Sequence, residues 1–356
     1  MKTLHFDARF IRLDHHDGIS RFSVELVKAL AQKIRVVALI FDLRQLEHLP
    51  EGVEYLVVNN PQSAREILLP RKLNKLGASH VFSPMQLMGS WGRRYKLILT
   101  LHDLIYYTHR KPPQDLSLLV RGIWRAYHLS YLPQKLLLNR ADAIATVSET
   151  TKKLMQRKGL TRKPIGVIYN APEKITSGKR AMPEKRTLLY IGSFMPYKNV
   201  ETLIRAAGLL PKYELLLLSK ITPKRREALA DLAGQVGANV KFLNGVSDHE
   251  YQKLLRSAFA LVSASKDEGF GIPLVEAMQL GTPVVVSNLE IFHEVAGSAG
   301  SYFDPTEPKG LEYQLGKLSE ADNWLKVSEL SVAQAQKYNW EDSAEVLLTM
   351  FQELDR

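Results

Sequence analysis

Cysteine is missing from all 356 residues, which removes disulfides, thiolate metal sites and thiol nucleophiles together. Glycine and proline are sparse at 21 and 17, so collagen-like and low-complexity architectures are excluded. With 45% hydrophobic and 24% charged residues, the chain is also too apolar to remain disordered. No run approaches about 18 consecutive apolar residues, so no membrane-spanning helix is expected. The stretch from Met1 to Arg9 has no apolar core ahead of its first charges, so no secretory signal is expected and the chain reads as cytoplasmic. Signature loops are absent too. His249-Glu250 and His293-Glu294 do not extend to His-Glu-x-x-His, and no Gly-x-x-x-x-Gly-Lys-Ser/Thr or Gly-x-Ser-x-Gly occurs. Gly269-Phe-Gly-Ile-Pro-Leu lacks the third glycine of a dinucleotide fingerprint.

What is present points to two α/β domains, since a domain takes about 150 residues. Short aliphatic runs (Val36–Phe41, Lys96–Leu101, Ala143–Val147, Thr187–Ile191, Glu214–Leu218, Phe259–Ser263, Pro283–Ser287) have the length and composition of strands buried on both faces. Helical patterns separate them. Val200, Leu203, Ile204 and Ala207 fall on one face behind Asn199, which has the chemistry of an N-cap. Residues 171–186 are polar, with Pro near both ends, and read as the linker between two doubly wound halves. The charge divides with them. Residues 1–170 hold 27 Lys and Arg against 13 Asp and Glu, and the remainder 21 against 24. A basic half concentrates anions: nucleic acid, acidic headgroups or phosphorylated small molecules.

In doubly wound sheets ligands bind beyond the carboxyl ends of strands, so the segments that follow strands carry the information. In Ser263-Ala-Ser-Lys-Asp-Glu-Gly-Phe-Gly-Ile-Pro-Leu-Val-Glu-Ala-Met, Glu268 lies in a loop. Pro273 suits a first helical position, which puts Glu276 in an opening turn. Gly269 and Gly271 permit close backbone approach, and a helix start offers N–H groups to an anion. Either carboxylate alone fits a bland role, with Glu268 solvated and Glu276 complementing a helix dipole. Together, beside an anion site, they suit the hydroxyls of a sugar diphosphate. A second place is Ile191-Gly-Ser-Phe-Met-Pro-Tyr-Lys-Asn, where Lys198 stands at a helix N-terminus; it needs an anion there unless it points into water. The third is Thr100-Leu-His-Asp-Leu, where His102 either orients a ligand or packs as a structural histidine.

Glu268 to Glu276, with Gly-Phe-Gly-Ile-Pro between, resembles the E-x7-E signature of the retaining glycosyltransferases of family 4, which have the GT-B fold. Ala277–Ser287 and Glu294–Pro305 resemble the segments that follow it, with weaker echoes at Ala141–Ser148, Val167–Asn170 and Lys241–Gly245. The resemblance implies two Rossmann-like domains facing each other across a cleft, an acceptor-binding domain at 1–170 and a nucleotide-sugar-binding domain at 171–335. A helix from 336 to 356 would cross back to the first. It also implies roles. Glu268 would contact donor-sugar hydroxyls and Glu276 the ribose, while Lys198 grips the pyrophosphate and His102 meets the sugar. Gly192, Ser193, Gly269, Phe270, Gly271 and Ile272 would line the donor, and Gly18 would approach its phosphate. Two departures stand out: Ser193 occupies a position that is commonly basic, and one glycine remains of a frequent pair at Gly18.

The metal-chelating Asp-x-Asp of the other major glycosyltransferase fold is absent, so neither metal nor cofactor is expected beyond a nucleotide-diphosphate sugar as co-substrate. The Gly-Ser and Lys-Asn variant of the phosphate loop resembles that of mannosyltransferases, which suggests GDP-mannose, with a UDP-sugar as the alternative. Basic residues with interleaved aromatics over 115–140, at Arg71, Lys72 and Lys75, and at Arg93, Arg94 and Lys96 suit either an anionic membrane surface or a solvated face. The resemblance favours a glycan or lipid-linked acceptor on this half. A nucleic-acid-binding protein is the competing class, and it leaves the glutamate pair unexplained.

Overall fold

A computed structural model describes residues 3–13, 18–111, 118–175, 178 and 180–356, with the side chains of Leu118 and Leu119 left out. The loop residues 14–17 before Gly18, the first part of the 115–140 basic segment, and 176, 177 and 179 of the 171–186 segment therefore lie outside the described residues.

The chain divides into two units, residues 1–170 with 339–356, and residues 171–338. The first is built on β1 (Thr3–Asp7), β2 (Arg35–Ile40), β3 (Glu54–Val57), β4 (His80–Ser83), β5 (Lys96–Leu101), β6 (Ala143–Thr146) and β7 (Ile165–Val167). These lie in the order β3-β2-β1-β4-β5-β6-β7, and every pairing is parallel. Leu97, Ile98, Leu99 and Ile144 are fully buried, as continuous aliphatic strands require when helices cover both faces. The helix Gly18–Ala31 buries Phe22, Leu26, Ala29 and Leu30.

The second unit carries β8 (Thr187–Tyr190), β9 (Glu214–Leu217), β10 (Val240–Phe242), β11 (Ala260–Ser263), β12 (Val284–Ser287) and β13 (Gly300–Phe303). Their order is β10-β9-β8-β11-β12-β13, again all parallel. Strand order reverses direction between β1 and β4 in the first sheet and between β8 and β11 in the second. Those are the switch points at which doubly wound sheets open a crevice.

The helix Trp340–Asp355 belongs to the first unit. Trp340 meets Phe22 edge-on at 5.9 Å, Ser343 Oγ donates to Tyr169 O at 2.7 Å, and Asp355 Oδ1 lies 2.8 Å from His80 Nε2. Within the 171–186 segment, Arg180 is held firmly on the second unit. Arg180 donates through Nη1 to Leu280 O at 2.7 Å and Thr282 Oγ1 at 2.9 Å, and its guanidinium lies 5.4 Å from the Trp324 ring centre. Leu280 follows the last residue of the helix Ile272–Gln279, where carbonyls lack intrahelical partners, and a guanidinium satisfies one.

Candidate functional site

β8 and β11 are neighbours, and each leads into one of the loops singled out by sequence. The loops meet directly. Lys198 Nζ donates to Glu268 Oε1 at 2.5 Å, with only 15% and 13% of the two side chains exposed. Ser265 Oγ donates to the same oxygen at 2.8 Å, and Lys266 N–H donates to Tyr197 O at 2.7 Å. Lys198 also sits 5.3 Å from the Tyr197 ring centre. The reading of Lys198 as a solvated side chain is thus overturned: the anion it needs at the helix start is Glu268.

Asn199 corrects a second expectation. It occupies the N-cap position but makes no capping hydrogen bond, because its backbone is left-handed at φ 51°. Its side-chain amide instead donates to Ala264 O at 3.0 Å and Pro305 O at 2.7 Å. Asn tolerates that conformation better than most residues. The amide fastens the loop after β8 to the loops after β11 and β13, so Lys198 and Glu268 are held at fixed spacing.

Gly192 has φ 156°, and a Cβ there would come within 2.9 Å of Tyr190 Oη, which donates to Ser193 O at 2.6 Å. A side chain at 192 would break that turn. Ser193 itself is exposed. Burial pushes the Tyr190 hydroxyl well above its usual pKa, so it stays a donor.

After β11, Phe270 is buried edge-on against Tyr338 at 5.5 Å, which anchors the glycine loop between half-buried Gly269 and Gly271. Gly271 is left-handed at φ 99°, and a Cβ on it would approach Phe292 Cε1 to 3.1 Å. The helix begins at Ile272, one residue earlier than Pro273 implied, so Pro273 takes the second position. Glu276 consequently falls beyond the first turn, where a helix dipole has little hold on it. Its Oε2 accepts from Tyr251 Oη at 2.7 Å. Tyr251, on the helix Asp248–Ser257, was not signalled by sequence: it sits on the buried face like any core tyrosine. Ser265, a small hydroxyl in a loop, likewise carries no signal in sequence until its bond to Glu268 is seen.

His102 and Gly18 lie in the first unit. His102 follows β5 and is half-buried, with Nε2 2.8 Å from Pro84 O in the loop after β4. A carbonyl only accepts, so Nε2 carries a proton. Phe22 packs edge-on to it at 5.2 Å. Gly18 opens the helix that carries Phe22 and is exposed. Among the described residues no three His, Cys, Asp or Glu side chains converge as metal ligands would.

The second unit therefore offers, at its switch point, a cation paired with a carboxylate beside a glycine loop, and a second carboxylate one turn into the helix that follows. That combination can bind an anionic group and several hydroxyls together. Comparison with known proteins agrees. Residues 16–172 match the family model Glycosyltransferase Family 4, and residues 173–330 match Glycosyl transferases group 1. The O-antigen chain mannosyltransferase RfbU of Salmonella typhimurium is 27% identical over 85% of this chain and 87% of its own length. O-antigen chain mannosyltransferase B of Escherichia coli is 26% identical over 91% and 93%. Among solved structures, sucrose-phosphate synthase from Thermosynechococcus elongatus superposes with a TM-score of 0.74 at 18% identity over 99% of both chains. Anabaena Alr3699/HepE in complex with UDP and glucose gives 0.72 at 18% over 99% and 100%.

Proposed function

The chain belongs to the GT-B glycosyltransferases, with a family 4 domain followed by a group 1 domain, and on that footing we propose that it is a retaining, metal-independent mannosyltransferase using GDP-mannose. The observation that carries the donor site is the Lys198–Glu268 pair, joining the loops that follow the two central strands of the second sheet. A sugar diphosphate brings a partner for each member: phosphate oxygens for Lys198 and hydroxyls for Glu268. Glu276, held by Tyr251, takes the ribose hydroxyls. The acceptor hydroxyl oxygen bonds to the anomeric carbon as the carbon–oxygen bond to the diphosphate breaks. The bonding pair leaves with the phosphate, which also takes the hydroxyl proton. Lys198 and the N–H groups of the following helix stabilise that departing charge, the kind of preorganised electrostatics that supplies much of enzymatic rate.

The mannose assignment rests on the two O-antigen relatives, which cover most of the chain. A thermal-shift panel of GDP-mannose, UDP-glucose, GDP and UDP tests it. GDP-mannose at about 100 times its Kd is expected to add about 2.7 kcal/mol of stability. Stabilisation by the uridine compounds alone transfers the assignment to a UDP-sugar; no shift with any of them refutes the donor site.

The acceptor is a glycan or lipid-linked glycan, met at an anionic membrane surface by the first unit. No helix among the described residues is long and apolar enough to cross a membrane. Support for surface docking comes from a row of unpaired apolar side chains. Leu132 and Leu136 stand one turn apart on the helix Leu132–Leu138, 61% and 62% exposed. Arg140 follows one turn on, its guanidinium 4.6 Å from the ring centre of Trp91, which is 73% exposed. Asn74 Nδ2 donates to Gly92 O at 2.9 Å, joining this row to the helix Leu69–Lys75 with exposed Arg71 and Lys75. Between Glu66 and Asp103 the sequence has six Lys or Arg and no carboxylate. Each cation near anionic lipid contributes about 1 kcal/mol. Co-sedimentation with phosphatidylglycerol vesicles, lost in Trp91→Ser/Leu136→Ser and absent with phosphatidylcholine, is the expected result. Equal pelleting with both lipids overturns it, and tight, salt-steep RNA binding in its place restores the nucleic-acid reading.

A further inference from the structure

Glu268 is held through one oxygen only. Lys198 Nζ at 2.5 Å and Ser265 Oγ at 2.8 Å both donate to Oε1, and among the described residues nothing donates to Oε2. The two donors differ in kind. An ammonium is a point charge on a flexible stem, so Lys198 attracts either carboxylate oxygen from a range of directions. Ser265 is fully buried two residues beyond β11, and its short side chain reaches the carboxylate from a fixed place. Its proton has no second use. A serine hydroxyl owns one proton and a carboxylate paired with an ammonium only accepts, so the 2.8 Å contact commits that proton to Oε1. The 3.1 Å contact between the Ser263 and Ser265 hydroxyls then runs one way, with Ser263 donating. Ser263, the last residue of β11, is itself 8% exposed, so water competes little for either hydroxyl. Two buried hydroxyls in series thus tie Glu268 Oε1 to the end of a central strand.

We propose that Ser265 is a positioning residue for sugar transfer: by holding Oε1 it turns Oε2 of Glu268 to the hydroxyls of the donor sugar. The inference rests on the donor site proposed above and gives the two oxygens of one carboxylate different tasks. When a diphosphate draws the Lys198 ammonium to its own oxygens, the buried serine bond stays behind. It is then the one side-chain bond that sets the carboxylate's orientation. Without it the carboxylate turns about its last carbon–carbon bond, and its oxygens no longer stand where the sugar hydroxyls need an acceptor. A misplacement of about 1 Å at such a group can cost a hundredfold in rate.

Calorimetric titration of the full chain with GDP, GDP-mannose, UDP and UDP-glucose tests this. The quantity read is the affinity for the preferred sugar nucleotide divided by the affinity for its bare diphosphate. Ser265→Ala is expected to lower that ratio about tenfold, the loss of one hydrogen bond to a charged group, while bare diphosphate affinity moves about twofold or less. Ser265→Thr keeps the hydroxyl and is expected to restore the ratio. Ser263→Ala keeps the Ser265 proton but removes the bond behind it, so the ratio should fall in the same direction by less. A merely structural serine would shift both ligands alike. An unchanged ratio in Ser265→Ala, or equal losses for both ligands, overturns the inference while leaving the donor site standing. Should Ser265→Ala fail to fold, the Ser263→Ala ratio decides in the same way. A wild-type chain that binds neither diphosphate takes down both.

Discussion

At the carboxyl end of β1, Arg9 is 2% exposed and gives five N–H bonds to protein acceptors. Nε and Nη2 reach Asp7 at 2.6 and 2.9 Å, Nη1 and Nη2 reach Glu66 at 2.7 and 3.0 Å, and Nη1 also meets Asn59 O at 3.1 Å. The carboxylates are filled in turn: Asp7 accepts from Ser83 Oγ at 3.1 Å, and Glu66 from Gly89 N–H at 2.8 Å. Burial pulls the Arg9 pKa down, but Asp7 and Glu66 outweigh it and hold the guanidinium above its usual value. At the carboxyl end of the second sheet the arrangement is sparser. Among the described residues the Lys198 ammonium makes one hydrogen bond, and both side-chain partners of Glu268 bind the same oxygen. Each pair is ionic and poorly solvated, yet one is saturated and the other keeps capacity. A saturated network fixes loops; an unsaturated pair can exchange partners with a ligand.

That contrast predicts its largest effect in the first unit. Arg9→Met strands two carboxylates in a buried site, and breaking such a network from one side costs about 3–5 kcal/mol. Urea denaturation followed by tryptophan fluorescence reads this well, because Trp91, Trp124 and Trp340 lie in the first unit and Trp324 alone in the second. Nucleotide binding by the second unit is expected to persist. A loss below about 1 kcal/mol, or a matching loss from Lys198→Met, would erase the distinction between a structural and an exchangeable pair.

Legibility in the sequence follows the same divide. β2, β5, β6, β8, β9, β11 and β12 announce themselves as unbroken aliphatic runs because both faces are buried. β3 and β10 are edge strands whose Glu54, Tyr55 and Lys241 face solvent, so their apolar signal is diluted. β4 is four residues long and opens on His80. Lys198, Glu268 and Glu276 could be picked out because charge follows a strand beside glycine. Arg9 could not, since the partner that gives it meaning, Glu66, is 57 residues away. Asn199 shows the reverse failure: its position before an apolar helix mimics a cap, and only its left-handed backbone, set by Ala264 and Pro305, assigns the side chain elsewhere.

The smaller effect is the sharper test, because its sign is unusual. Glu268 pairs with Lys198 and, at the proposed donor site, would stand as a negative charge near any diphosphate. Glu268→Gln removes both obstacles while keeping shape and hydrogen bonding. Affinity for bare GDP, or for UDP if that is the preferred base, is therefore expected to rise about five- to tenfold, near 1 kcal/mol. Sugar transfer should fall about a hundredfold or more, because the carboxylate proposed to receive the donor hydroxyls is gone. Thermal stability should fall only modestly, since the glutamine oxygen keeps a hydrogen bond to Lys198. Opposite movements of product affinity and turnover from a single substitution are hard to obtain from a pair that merely holds two loops together. Were GDP affinity to fall with activity, Lys198 and Glu268 would belong with Arg9 and Asp7, as scaffold.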